Sequence, residues 1–166
     1  GPHYYQEIFA DQHQFDRVYI ASNYSKVSDD GGKTWTPINT KRKHVDDHAM
    51  AFHPTDPDFV LMGSDGGIYM SHDRMANWRF MANLPLTQFY KVAPDDSKPF
   101  YKIYAGAQDN STQGGPSRTM REEGIKNKDW FLTLGGDGHG PAVEPGNPDI
   151  MYSQWQQGNL VRVDTT

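Results

Sequence analysis

The segment Ser28-Asp29-Asp30-Gly31-Gly32-Lys33-Thr34-Trp35 returns as Ser71-His72-Asp73-Arg74-Met75-Ala76-Asn77-Trp78, with Ser, Asp and Trp each displaced by 43 positions. Self-similarity at a fixed period of a few tens of residues marks a chain built from stacked supersecondary units, so this recurrence constrains the fold more than any local propensity. A second element recurs out of phase with the first: an apolar segment, a Pro/Asp-rich turn, and a second apolar segment. It reads IFADQHQFDRVYIA from Ile8, MAFHPTDPDFVLMG from Met50, YKVAPDDSKPFYKIYAG from Tyr90 and AVEPGNPDIMYS from Ala142. The chain therefore divides into four units, at about 4–40, 46–83, 88–134 and 138–166.

Within each unit the apolar runs are short, rich in Val, Ile, Tyr and Phe, and bounded by Gly, Pro, Asn and Asp, which is the pattern of strands and tight turns. Unit two is the most legible. It predicts strands over Ala49 to Phe52, Phe59 to Met62, Ile68 to Ser71 and Trp78 to Met81. Met50, Met62, Met70 and Met81 alternate with polar neighbours and are expected in the core. Four short strands per period of 40 to 50 residues describe the blade of a β-propeller. A β-sandwich has similar strands, but gives no reason for one turn chemistry to return every 43 residues. Unit three departs from the pattern between Asn110 and Lys128, which predicts a long surface loop overhanging the face of the second turns. Unit four ends after its third strand, near Asn159 to Val163. The expected fold is all-β: one propeller segment, 1–166, of about four blades, each a four-stranded antiparallel meander, with the remaining blades supplied by a longer chain or a partner.

Composition narrows the function classes. Lys and Arg number 16 against 21 Asp and Glu, with the charges interspersed, so the basic footprint of a nucleic-acid binder is missing. No apolar run approaches the length of a membrane span, and the mean hydropathy is −0.81. The first residues lack the layout of a signal peptide. The absence of cysteine excludes a thiol nucleophile and a thiolate metal site. No serine lies in a Gly-x-Ser-x-Gly elbow, so a Ser-His-Asp nucleophile is not expected either.

In the motif Ser28-x-Asp30-x-Gly32-x-Thr34-Trp35, Asp and Ser side chains can bond turn amides, glycine can take a positive φ, and Trp35 can anchor the next strand. The motif resembles the Asp-box, or bacterial neuraminidase repeat, of sialidases, the sortilin luminal domain and xyloglucan-type glycoside hydrolases, all of them propellers. Ser28, Asp30, Gly32, Thr34 and Trp35 match its defining sites. The second copy keeps Ser71, Asp73 and Trp78, with Met75 and Asn77 standing for the glycine and threonine. Both tryptophans are expected to be largely buried between neighbouring strands. A wider stretch resembles the sortilin-like or glycosyl-hydrolase-like exported proteins of bacteria, carried by His44-Val45-Asp46-Asp47-His48, Gly63-Ser64-Asp65-Gly66-Gly67, Gln108-Asp109-Asn110 and Gly135-Gly136-Asp137-Gly138. The resemblance implies an extracytoplasmic setting: periplasmic, cell-surface or secreted.

In a meander the first and third turns lie at one end of the sheet, and the second turn and the link to the next unit lie at the other. The Asp-box turns belong to the first end and read as structural staples. The second end collects His44, Asp46, Asp47, His48, Gln88, Asp137 and His139 from links, with Asp65, Asp109, Asn110 and Trp155-Gln156-Gln157 from second turns. Three chemistries could use these residues. A carboxylate pair among Asp46, Asp47, Asp65, Asp109 and Asp137 would serve glycoside hydrolysis, with Trp155 or Tyr90 stacking a sugar ring. Calcium could be held by carboxylates such as Asp46 and Asp137, and a transition metal by His44, His48 and His139 with Asp. Alternatively the face binds a protein or polysaccharide without chemistry, through His48, Asp109, Asn110, His139, Trp155 and Gln157. The binding module is the preferred reading, with no cofactor unless calcium, no nucleic-acid partner and no membrane span.

Overall fold

The computed structural model describes residues 4, 5, 7–84 and 86–166. Among the described residues, fifteen strands form four separate antiparallel sheets, each composed of strands consecutive in the chain. This is the all-β meander architecture of propeller blades, three with four strands and the last with three. Among the described residues, no helix is long and apolar enough to cross a membrane.

The chain divides into two compact units, Gly1–Leu84 and Pro85–Thr166. In the first, β1 (Ile8–Ala10), β2 (Val18–Ile20), β3 (Lys26–Ser28) and β4 (Thr36–Pro37) make one sheet. The strands β5 (Asp47–Phe52), β6 (Val60–Ser64), β7 (Gly67–Ser71) and β8 (Arg79–Phe80) make the next. Their facing sides share one core, in which Tyr19 and Ile38 meet Val60, Met62, Tyr69, Met75 and Trp78. Of the four methionines expected inside, Met62 is fully buried and the others are half-buried.

The two eight-residue motifs form the same turn. Asp30 accepts from the Lys33 and Thr34 amides and, at 2.6 Å, from the Thr34 hydroxyl, while the buried Ser28 hydroxyl accepts from the Gly32 amide at 2.8 Å. In the second copy the Asn77 side-chain amide donates to Asp73 at 2.7 Å where the threonine hydroxyl did, and Ser71 accepts from the Met75 amide at 2.8 Å. Met75 takes the left-handed φ of +69° that Gly32, at +91°, adopts without penalty. Burial of the Met75 side chain in the shared core offsets that strain. The third turn of each blade is tied to the first turn of the same blade, Gly31 to Asp16 and Arg74 to Asp58 through backbone bonds, which confirms the ends assigned by parity.

The two tryptophans differ. Trp78 is buried and its indole N–H reaches the Asn39 carbonyl, in the link that follows β4, at 2.7 Å. Trp35 is only half-buried and donates to Gly32 within its own turn. The expectation of burial therefore holds at one position and is corrected at the other. The physical reason is that Trp78 enters the core shared with Tyr19 and Ile38 of the other sheet, whereas Trp35 is held against its own turn.

In the second unit, β9 (Lys91–Pro94), β10 (Lys102–Gly106), β11 (Thr112–Pro116) and β12 (Phe131–Leu134) form a sheet, followed by β13 (Ala142–Glu144), β14 (Asn147–Gln154) and β15 (Leu160–Asp164). Here the loop expected over Asn110 to Lys128 is corrected: its first part is β11, paired with β10 at every position from Thr112 to Pro116. The sequence TQGGP hides this strand because its glycines serve the neighbours. A Cβ on Gly114 would lie 2.7 Å from the Phe131 ring and 2.8 Å from that of Tyr104, and one on Gly115 would lie 2.6 Å from Trp130. The true loop leaves from the Pro116 end of β11, a third-turn position, so it does not overhang the second-turn face.

Candidate functional site

The second-turn end of the second unit contains a cleft of about 410 Å³, within the range of small-ligand sites. Its walls come from the residue before β9 (Tyr90), the turn after β10 (Gln108), the link into β13 (Asp137, Gly138, His139) and the end of β14 with its following turn (Gln154 to Gly158). The link is seated on the preceding second turn by backbone bonds, Gly138 N–H to Ala107 and Ser111 N–H to Gly136. Gly138 is required there, since a Cβ would strike the Ser111 carbonyl at 2.3 Å. Asp137 turns back to accept the Asp109 amide at 3.1 Å. The rings of Tyr90 and His139 approach to 5.3 Å, and the Tyr90 hydroxyl donates to the Gln108 side chain. Tyr90 and Trp155 are exposed, as is His139. The result is an aromatic, amide-rich cleft with one carboxylate and no lysine or arginine in its lining.

Of the residues proposed from sequence, Asp137, His139, Trp155 and Gln157 come together here, joined by Tyr90 and Gln156. Asp109 and Asn110 stand in the adjoining turn and do not line the cleft; the Asn110 amide is spent on the Gln108 carbonyl. Gln108 and Gln154 were missed as lining residues.

The first unit places a second group at its own second-turn end. Asp46, at φ +62°, accepts from the Tyr5 hydroxyl and the Asn23 amide at 2.5 Å each. Burial would raise the Asp46 carboxyl, but these two hydrogen bonds, with the fields of His44 and His48, outweigh it and hold it below the ordinary carboxylate range. The same contact, reinforced by burial, pushes the Tyr5 hydroxyl well above the usual phenol value. His48 stacks on Tyr5 with ring centres 5.3 Å apart and meets Asp65 at 3.0 Å. Asp47 is withdrawn from solvent altogether: its carboxylate is paired with Lys43 and accepts the Ser25 hydroxyl at 2.6 Å. Lys43 in turn donates to the His44 carbonyl and lies over the rings of Tyr69 and Trp78. This makes Asp47 part of the packing between two sheets and gives it no face toward a substrate.

Both groups carry the same signal, legible in the sequence but overlooked: Asp46, His48, Ala51, Pro54, Pro57 and Asp58 recur 91 positions on as Asp137, His139, Ala142, Pro145, Pro148 and Asp149. Tyr5 and Asn23 correspond to Tyr90 and Gln108, 85 positions on. A tyrosine and histidine ring pair sits at the same joint in each unit.

No family model matches the chain, and no curated protein matches it. Solved structures similar to it include an ancestral GH74 enzyme, at 14% identity and a TM-score of 0.46 over 96% of this chain and 22% of that one. The GH74 enzyme of Niastella koreensis is 11% identical with a TM-score of 0.41, over 96% of this chain and 30% of its own. YCF48 bound to a D1 peptide is 13% identical with a TM-score of 0.36, over 92% of this chain and 62% of its own. The chain thus spans less than a third of the two enzymes and under two thirds of YCF48.

Proposed function

We propose that this chain is a non-catalytic binding module of a larger extracytoplasmic propeller, with a neutral glycan as the ligand of the cleft at the second-turn end of its second unit. The observation that carries the reading is the lining itself. Exposed Tyr90 and Trp155 offer ring faces, and Gln108, Gln154, Gln156 and Gln157 offer side-chain amides that both donate and accept, as sugar hydroxyls require. Hydrolysis by two carboxyl groups needs a pair about 5–9.5 Å apart. The cleft lining contains only Asp137, one oxygen of which already accepts a backbone amide. The extracytoplasmic setting is supported by the resemblance of the Ser28 to Trp35 motif to the Asp-box, together with the shared turn hydrogen bonding of its second copy at Asp73.

Calorimetric titration with neutral oligosaccharides, uronate oligosaccharides and unrelated peptides tests this reading. Binding of the neutral sugars, weakened by Tyr90→Ala, is the expected result. Peptide binding alone would move the ligand class to protein, and release of reducing sugar abolished by Asp137→Asn would restore the hydrolase.

A further inference from the structure

The two units repeat one joint, yet a cleft opens beside His139, while His48 is held by its own turn. Two local differences account for this. The link between β6 and β7 is the two-residue turn Asp65-Gly66, closing the Ser64 to Gly67 pair. Asp65 reaches His48 at 3.0 Å, and Gly66 packs so tightly on His44 that a Cβ would fall 2.4 Å from it. The corresponding link between β14 and β15 is the five-residue stretch Trp155 to Asn159, closing the Gln154 to Leu160 pair. Its shape is held by the Trp155 N–H to Asn159 carbonyl bond at 3.0 Å and by left-handed Gln157 and Gly158. At the position of His44 stands Gly135, which has nothing within 4 Å of where a Cβ would be. Gln156 has moved over the neighbouring Gly136, where a Cβ would meet its side-chain oxygen at 2.8 Å.

We propose that the turn Trp155 to Asn159 is the specificity-determining wall of the cleft, and that it selects uncharged pyranose chains over uronates. The inference rests on the glycan-binding reading above and goes further by assigning selection to one element. Lengthening the turn exchanges an acid that would clamp the histidine for an indole and two amides that face the cleft. Trp155 supplies the stacking face, and Gln156 and Gln157 supply hydroxyl partners. A uronate carboxylate would enter beside Asp137 with no lysine or arginine among the lining residues to compensate it, so charge repulsion and desolvation oppose it.

The test replaces Trp155 to Asn159 by Asp-Gly, the turn that the sibling hairpin already uses, and titrates the whole chain with cellohexaose, maltohexaose and a hexagalacturonate. The wild-type chain is expected to bind a neutral hexaose at least about tenfold more tightly than the uronate. The exchanged chain is expected to lose neutral-sugar binding by about 30-fold or more, the usual cost of removing an aromatic hot spot. Unchanged affinity after the exchange would overturn the role of the turn while leaving the cleft reading intact. Failure of the wild type to bind any sugar would remove both. Tighter binding of the uronate would overturn the selectivity. Should the exchanged hairpin not fold, Trp155→Ala with Gln157→Ala reads the same outcome with the backbone unchanged, and equal affinity there would be decisive against the proposal.

Discussion

Asp47 and Lys43 show what a single pair can hold together. Both side chains are almost wholly removed from water, and each has further partners, Ser25 for the acid and the His44 carbonyl for the amine. Removing one member strands a buried charge, which typically costs about 3–5 kcal/mol, whereas apolar replacement of both can be close to neutral. Urea unfolding should therefore rank Asp47→Ala as more damaging than the double change Lys43→Met with Asp47→Leu. A different carboxylate, Asp30, contributes on the acid side together with the other lowered carboxyls. Hydrogen bonds from the Thr34 hydroxyl and amide, then from Ser28 and Lys33, lower Asp30 to about 2. Its folded value lies below the unfolded one of about 3.9, so its contribution is complete above that value and is lost as pH falls through about 2. The urea midpoint of the wild type should drop across this window, and Asp30→Asn should flatten the drop. At Met75 two effects oppose each other: relief of a left-handed backbone is worth about 1–2 kcal/mol, while loss of a buried methionine costs about 2–5 kcal/mol. Met75→Gly is therefore expected to destabilise by about 0–4 kcal/mol, and a stabilised variant would show that the strain dominates.

At the scale of the element, β11 is the instructive strand. Its glycines carry no strand propensity, yet Tyr104, Phe131 and Trp130 lie across them so closely that side chains are excluded. Gly114→Val, favourable by β-propensity alone, should lower stability by at least about 1–3 kcal/mol through overpacking against Tyr104 and Phe131. A thermal midpoint equal to the wild type would contradict that packing. The strands of the second repeat, β5 to β8, were legible because Val, Ile, Met and Tyr alternate there between turn residues, and the third turn after β7 was legible from Ser71, Asp73 and Trp78 despite two replaced positions. The β11 strand was illegible because its stabilising groups lie on β10, on β12 and at Trp130 just before β12, not in its own sequence.

At the scale of the molecule, among the described residues β15 pairs with β14 and leaves its other edge open, with Leu160 exposed. An edge of this kind templates further pairing. Light scattering on the isolated chain should show mass rising with concentration over the micromolar to millimolar range in which exposed edges associate. A monomer throughout would mean that the edge is sufficiently protected as it stands.

The number and kind of the four repeats are legible in the residues alone, since turn residues and short apolar runs act locally and recur wherever the same hairpin is built. So are the hydrogen-bonding side chains of the two Asp-containing turns, whose donors and acceptors lie within eight residues of one another. Which second-end residues face solvent depends on how the sheets meet, and their sequence neighbours do not show it. Asp47, directly before His48, is sealed between sheets by Lys43, while His139, preceded by Gly138 at the equivalent place, stands open beside a longer turn. Burial and cleft shape depend on how separate sheets meet, through contacts such as Asn39 to Trp78 and Gly138 to Ser111, and adjacency in sequence carries no record of them.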